Sequence, residues 1–362
     1  MDHIVHLGIP ALLEFYRKHI EDDSLVLVTI IATEGSTYRK PGAMMLISRD
    51  GAFEGMISGG CLEGDLLHHA DKVFDSGTAA FVTYDMHAGE DLVWSLGLGC
   101  DGIIHLMLQR LDRSGGFGFL KQLEASQAAR EAVLVALVTE PAGDLACGTF
   151  ALIGQSGASL GDRRLLEGLH TVAEPWPDWR INRVNSGSAE GGMSVIQVNV
   201  PATTRVLLCG AGPDAVPVAR SLCELDWEVL VVDHRPAFAR AERFPSNCSV
   251  IQSPPGQLSG ATDLAELDAV VIMSHHLEND SLYLRQVCSF DVPYVGVLGP
   301  RARRDRLCEM AECGDREIHG PVGLDIGAEL PGAIALSITA EIHAALNQRN
   351  GRSLTLRANE EF

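Results

Sequence analysis

Apolar and polar positions along the 362-residue chain fall into two regimes. In residues 10–20, Leu12, Leu13, Phe15, Tyr16 and Ile20 form the apolar content of a short amphipathic helix. "SLVLVTIIAT" (24–33) is a continuous β-rich run, as a buried strand requires. "GAMMLIS", "RDG" and "AFEGMIS" predict a hairpin, with Asp50-Gly51 as the tight-turn signal. Residues 61–76 read as a helix, "GIIHLMLQRL" (102–111) as a strand and a segment near 117–130 as a helix. "AVLVALVTE" and "GTFALIG" read as further strands, "NSGSAEGG" (185–192) as a flexible loop, and "MSVIQVNV" as a strand.

From Arg205 the pattern changes. Apolar strands alternate with helices: "RVLLCG", "AVPVARSLCEL", "EVLVVD", "DAVVIMS", "YVGVLG", and a last helix from about Pro331 to Leu346. Such alternation is the signature of a parallel, doubly wound sheet. With "PATT" (201–204) as the junction, the expected organisation is α/β. An N-terminal mixed α+β domain (1–200) precedes a Rossmann-like, doubly wound parallel-sheet domain (201–362).

The second domain opens with G-x-G-x-x-A directly after a strand. Gly210 allows a tight turn, Gly212 allows close approach of a phosphate, and Ala215 takes the place of the third glycine at the helix–sheet contact. Asp233 ends the next strand 23 residues after Gly210, near the spacing of a ribose-binding acid. Pro213 removes one N–H from the phosphate-facing turn, although proline is also routine at a helix start. NAD(P) is therefore one candidate ligand, on a fold often reused without a dinucleotide.

Three polar clusters fall at the expected carboxyl ends of the strands. "DHR" offers Asp233 and Arg235, and "SHHLEND" offers His275, His276 and Asp280. "GPRARRDR" puts Arg301, Arg303, Arg304 and Arg306 at a helix start, where anions are favoured. The bland alternatives are a solvated helix face for the arginines and, for the adjacent histidines, side chains that point apart.

Composition narrows the function. The net charge of −20 argues against nucleic acid and anionic lipid as partners. No apolar run reaches the roughly 18 residues needed to cross a bilayer. The start carries acids and histidines where a signal peptide carries basic residues, so the expectation is a cytoplasmic protein. Nine cysteines, with no C-x-x-C pair, predict a reduced protein with neither a disulfide framework nor a structural zinc site.

Candidate chemistry gathers in three glycine-bounded segments of the first domain. In "EGMISGGCLEGDLLHHA" (54–70), Gly60 as N-cap makes Cys61 the first helical residue, with Glu63 as a capping-box acid. A thiolate there becomes a nucleophile, a persulfide carrier or a soft-metal ligand, while Gly59 and Gly60 let a bulky ligand approach. The alternative is a small buried packing cysteine. "SLGLGCDGII" places Cys100 between glycines. "GSTYRKPGA" supplies Arg39 and Lys40 for an anion, and the hairpin could bring all three segments to one edge. Cys209, Cys223 and Cys308 read as core.

These segments resemble the XdhC/CoxI family, maturation factors of xanthine dehydrogenase-type and CO dehydrogenase-type molybdenum enzymes. The resemblance spans nearly the whole chain: "ATEGSTYRKPGAMMLI", "GMISGGCLEGDL", "GLGCDG", "LLCGAGPDAVPVA", "VVDHR", "VGVLGPRARRDRL" and "HGPVGLDIGAELPGAIALSITAEI". It implies a chaperone that holds molybdenum cofactor (molybdopterin), supports its sulfuration by a cysteine desulfurase and passes it to a molybdenum hydroxylase apoenzyme. It also implies a homodimer or larger homo-oligomer. The family's G-G-C-L-E-G cysteine falls on Cys61, the candidate metal contact. The chain departs from the family pattern at Tyr38, usually proline, at Met44, often arginine, and at Pro213, usually histidine. On this reading Cys61 and Cys100 suit the metal, and Arg39, Lys40 and the arginine helix suit the phosphate. The other readings are an NAD(P)-dependent oxidoreductase with His275 as acid or base, and a scaffold that holds no cofactor.

Overall fold

A computed structural model describes residues 8–86, 102–141, 145–169, 179–184 and 193–356. The chain divides into two compact units, Met1–Ala202 and Thr203–Phe362.

In the first unit the elements run α1 (Ile9–Lys18), β1 (Ser24–Gly35), β2 (Met44–Ile47), β3 (Phe53–Gly55), α2 (Glu63–Ser76), β4 (Ala80–Asp85) and β5 (Gly102–Asp112). They continue with α3 (Phe117–Ala128), β6 (Val133–Glu140), β7 (Phe150–Gly154), β8 (Ser159–Gly161), α4 (Arg163–Leu169), β9 (Trp179–Val184) and β10 (Met193–Val200). Two antiparallel sheets result, ordered β3-β2-β1-β5-β4 and β8-β7-β6-β10-β9. The unbroken apolar run of β1 follows from burial on both faces. Leu25 and Leu27 enter a core shared with α1, α3 and the second sheet, whereas Val26, Val28 and Ile30 pack under α2. Ile20 does not belong to the amphipathic helix: α1 stops at Lys18 and Ile20 is exposed. The expected loop at 185–192 lies outside the described residues.

The second unit has the expected parallel, doubly wound sheet. Its elements are β11 (Arg205–Cys209), α5 (Ala215–Cys223), β12 (Glu228–Asp233), β13 (Cys248–Gln252), α6 (Leu258–Ala261) and β14 (Ala269–Ile272). They continue with α7 (Leu277–Val287), β15 (Tyr294–Val297), α8 (Arg301–Ala311) and α9 (Pro331–Leu346). The strand order β13-β12-β11-β14-β15 puts the switch point beside β11, where ligands of such sheets bind. α5 and α9 cover one face, and α6, α7 and α8 cover the other.

One cysteine expectation is corrected. Cys288, at the end of α7, and Cys313, just beyond α8, form a disulfide. Packing of α7 beside α8 brings their Cα atoms to 5.5 Å, a proximity that a 25-residue sequence separation does not reveal. Cys209 and Cys223 are buried as expected, while Cys308 is only half-buried. The sulfurs of Cys223 and Cys248 lie 3.2 Å apart.

Candidate functional site

Strand register gathers the candidate loops of the first unit. Met45 faces Gly55, Thr29 faces Met44 and Gly35 faces Gly102. The loop after β1, the loop after β3 and the start of β5 therefore emerge at one end of the sheet. A Cβ on Gly102 would meet the Glu34 and Ser36 carbonyls at 2.6 Å, so glycine permits that close pairing. Cys100 lies outside the described residues.

The Cys61 loop is built differently from its expected form. The helix begins at Glu63 with Leu62 as N-cap, so Cys61 precedes it and Gly60 does not cap it. The reason is a clamp between Ser58 and Glu63. The buried Glu63 Oε1 accepts the N–H groups of Ile57 (3.2 Å) and Ser58 (2.8 Å). Glu63 Oε2 accepts the Ser58 hydroxyl at 2.7 Å and the Leu62 N–H at 3.2 Å. Ser58 Oγ in turn accepts the N–H groups of Cys61 and Leu62, both at 3.1 Å. Burial pushes the Glu63 carboxyl up, but these donors outweigh it and hold the group below the usual carboxylate range. The convergent N–H groups thus serve the loop itself. What the loop presents outward is the exposed Cys61 side chain, with open space over Gly59 and Gly60.

Arg39 and Lys40 stand on the loop between β1 and β2. Arg39 is half-buried, Lys40 is exposed, and neither has an ion-pair partner among the described residues. Both line a cavity of about 480 Å³ with α1 and the end of β10. That cavity sits on the α1 face of the sheet, while α2 covers the other face.

In the second unit the fingerprint turn has the expected form. Gly210 has φ +123°, and a Cβ there would come within 2.7 Å of the Met273 and Ser274 backbone. Its polar residues, however, are engaged with one another. Asp233 is buried and accepts the N–H groups of Ala211 (2.8 Å) and Arg235 (2.9 Å), together with Arg235 Nε (2.9 Å) and Nη2 (2.7 Å). Burial raises its carboxyl pKa, but Arg235 and these backbone donors bring it below the usual range. The Arg235 guanidinium also stacks over Phe238 at 4.0 Å. Asp214 folds back over the turn: its Oδ1 would lie 2.5 Å from a Cβ on Gly212, and its Oδ2 lies 2.7 Å from His275 Nε2. His275 is held in the left-handed region at φ +64°. His276 points away from this pair and caps α7 by accepting the Asn279 N–H.

The groups that a dinucleotide would use are engaged with one another in this structure. A ribose hydroxyl would find both Asp233 oxygens already bonded, and a pyrophosphate would meet the Asp214 carboxylate at the start of α5. Of the arginine run, Arg303 binds the buried Asp280 at 2.6 Å and Arg304 donates to the Gly320 carbonyl at 3.0 Å. Arg301 remains exposed at the first position of α8.

Sequence reasoning missed Ser58, Asp214, Arg243 and Asn199. Ser58 had a signal, since serine five residues before a helix-opening glutamate can close the loop between them. Arg243 bonds the Ala211 carbonyl at 2.6 Å, and Asn199 reaches the Arg39 cavity from a distant strand; neither contact has a local signal.

Known proteins share this architecture. The family model described as the XdhC Rossmann domain matches residues 206–342, and that of the XdhC and CoxI family matches residues 21–85. The chain is 32% identical over 344 residues to a protein of Bacillus subtilis (strain 168) described as a probable subunit of xanthine dehydrogenase, covering 93% of this chain and 96% of that protein. A shorter match, 36% identical over 87 residues, is to the molybdenum cofactor insertion chaperone PaoD of Escherichia coli (strain K12), covering 24% of this chain and 26% of that one. A crystal structure of a xanthine dehydrogenase from Bacillus halodurans superposes with a TM-score of 0.78 at 28% identity, over 95% of this chain and 97% of that chain. Near-complete overlap at such identity, together with two family-model matches in order, makes this chain a member of the XdhC/CoxI family.

Proposed function

We propose that this protein is a maturation factor of a molybdenum enzyme, holding molybdenum cofactor for delivery to a xanthine dehydrogenase-type apoenzyme. The observation that carries the reading is the Cys61 loop: an exposed thiol on open glycine backbone, fixed from beneath by Ser58 and Glu63. Among the described residues there is no cluster of three or more possible metal ligands. A lone thiol of this kind suits a metal that arrives with its own ligands rather than a bare ion. The name of PaoD, and the family shared with xanthine dehydrogenase relatives, support the same assignment.

The residues fit such a cargo. Cys61 would contact the metal, Gly59 and Gly60 would admit the bulk of the ligand, and Arg39 and Lys40 would face its phosphate. When bound, the cofactor carries a dithiolene-held molybdenum that the client enzyme uses for redox chemistry. The chain's own part is to hold that group by a soft ligand and a pair of cations. Sulfuration by a docked cysteine desulfurase, a homo-oligomeric state and a contribution of Cys100 belong to the same proposal. The engaged state of Asp214 and Asp233 favours this reading over an NAD(P)-dependent oxidoreductase.

The test is to purify the protein from cells able to make the cofactor and to measure molybdenum and pterin. About one of each per protomer is expected, with a sharp fall in the Cys61→Ala variant. Native protein free of both molybdenum and pterin would leave only a scaffold role.

A further inference from the structure

Two free thiols of the second unit meet. Cys223, the last residue of α5, and Cys248, the first of β13, have their sulfurs 3.2 Å apart. Among the described residues this is the one hydrogen-bonded pair of free thiols. The backbone fixes both ends. Cys248 lies opposite Val229 of β12, its N–H donates to the Pro245 carbonyl at 3.0 Å, and the Cys223 carbonyl accepts the Asp226 N–H at 3.1 Å. A disulfide holds its sulfurs about 2.0 Å apart, so an approach of about 1.2 Å, within reach of side-chain rotation, would join them.

The two thiols are not equivalent. Cys223 is buried, whereas Cys248 is half-buried on an edge strand that pairs on one side only. The hydrogen bond from Cys223 lowers the pKa of the Cys248 thiol, against the effect of burial. The same bond, together with burial, raises that of Cys223. Cys248 is therefore the more acidic and more accessible sulfur, and Cys223 is the thiol held beside it, as an attacking and a resolving cysteine are paired. Core packing asks for no such match: the buried Cys209 has its thiol pushed up by burial alone and by the Asp280 charge, with no second sulfur beside it.

We propose that Cys223 and Cys248 are a dithiol–disulfide couple that reduces a small hydroperoxide. The Cys248 thiolate attacks a peroxide oxygen and the O–O bond breaks. Cys248 becomes a sulfenic acid, and the leaving oxygen takes up the proton that Cys248 had released to solvent. The Cys223 sulfur then attacks the Cys248 sulfur: the S–S bond forms, the S–O bond breaks, and hydroxide leaves with the Cys223 proton as water. The two sulfurs lose two electrons and the peroxide gains them, so hydrogen peroxide yields two waters. Two equivalents of a small thiol return both cysteines to thiols and leave as their own disulfide. The disulfide ties the end of α5 to the edge strand across a separation of 25 residues, a span that holds β12 and the Asp233–Arg235 pair. The couple is independent of Cys61 and of the cofactor reading above.

The probe is hydrogen peroxide, added to the full chain after reduction with dithiothreitol and removal of the reductant. Alkylation with iodoacetamide and peptide mass spectrometry follow each cysteine separately, so neither Cys61 nor the Cys288–Cys313 disulfide enters the readout. In the native chain the tryptic peptides carrying Cys223 and Cys248 should become linked with the loss of two hydrogens. This should be at least about tenfold faster than oxidation of the half-buried Cys308, whose thiol burial pushes up, and dithiothreitol should separate the peptides again. Cys223→Ser should stop at a Cys248 sulfenic acid that dimedone traps, and Cys248→Ser should leave Cys223 unoxidised. If either variant folds poorly, the linked peptide and its rate in the native chain decide. No linked peptide, oxidation of Cys248 beyond the sulfenic acid while Cys223 stays free, or oxidation of Cys308 as fast as Cys248 overturns the proposal.

Discussion

Ser58 and Glu63 hold each other across five residues, the serine hydroxyl donating to the carboxylate at 2.7 Å while the serine N–H donates to its other oxygen at 2.8 Å. Everything that Cys61 presents to solvent stands on this pair. Glu63→Ala leaves the N–H groups of Ile57 and Ser58 buried without an acceptor, at a cost of about 1–3 kcal/mol for each unsatisfied group. The variant should melt well below the native protein. Ser58→Ala should lose less, because Glu63 keeps its backbone donors. Thermal denaturation of both variants checks the order, and equal effects would contradict it.

Acid should open the same loop. The Glu63 carboxyl lies below its unfolded value of about 4.3, so its contribution is present above that pH and is lost as pH falls through the folded value. The native protein should therefore lose melting temperature below about pH 4 more steeply than Glu63→Gln, which has no charge to lose. Parallel acid limbs would count against the clamp.

At the other end of the pH range stands His319. It stacks on Tyr294 with ring centres 4.4 Å apart, and its Nδ1 lies 3.7 Å from Glu341. The neighbouring Glu341 carboxylate lifts its pKa above 6.5, against the opposing effect of burial. Its stabilising contribution is complete below about pH 6.5 and is lost as pH rises through the lifted value. Between pH 6 and 9 the native protein should lose stability relative to His319→Gln. An NMR titration should place the His319 midpoint above that of a free histidine.

NADH and NADPH should not bind at submillimolar concentration. Both Asp233 oxygens are bonded to the Arg235 side chain and backbone, and Asp214 puts a carboxylate over Gly212. A saturable change in nucleotide fluorescence would refute this.

Much of the architecture was legible because it rests on local patterns. The Asp50-Gly51 turn, the strand-then-helix rhythm after Arg205 and the start of α9 at Pro331 each need only a few neighbouring residues to specify them. The site was less legible, because its meaning lies in partners distant along the chain. "SGGCLE" reads as a helix start until Ser58 takes the N–H groups that Gly60 was expected to organise. "GAGPD" followed by Asp233 reads as a nucleotide turn until Arg235 and His275 occupy its acids. Cys288 and Cys313 become a pair only through the packing of α7 on α8. Asn199 and Arg39 share a cavity only because β10 and the loop after β1 both line it.

The central claim is that Cys61 is the cofactor's point of contact, and differential alkylation tests it most directly. In the cofactor-free protein, iodoacetamide should label the exposed Cys61 rapidly and leave the buried Cys209 untouched until unfolding. After loading with molybdenum cofactor under anaerobic conditions, peptide mass spectrometry should find Cys61 protected. Cys61 labelled at the same rate with and without bound cofactor would contradict the account.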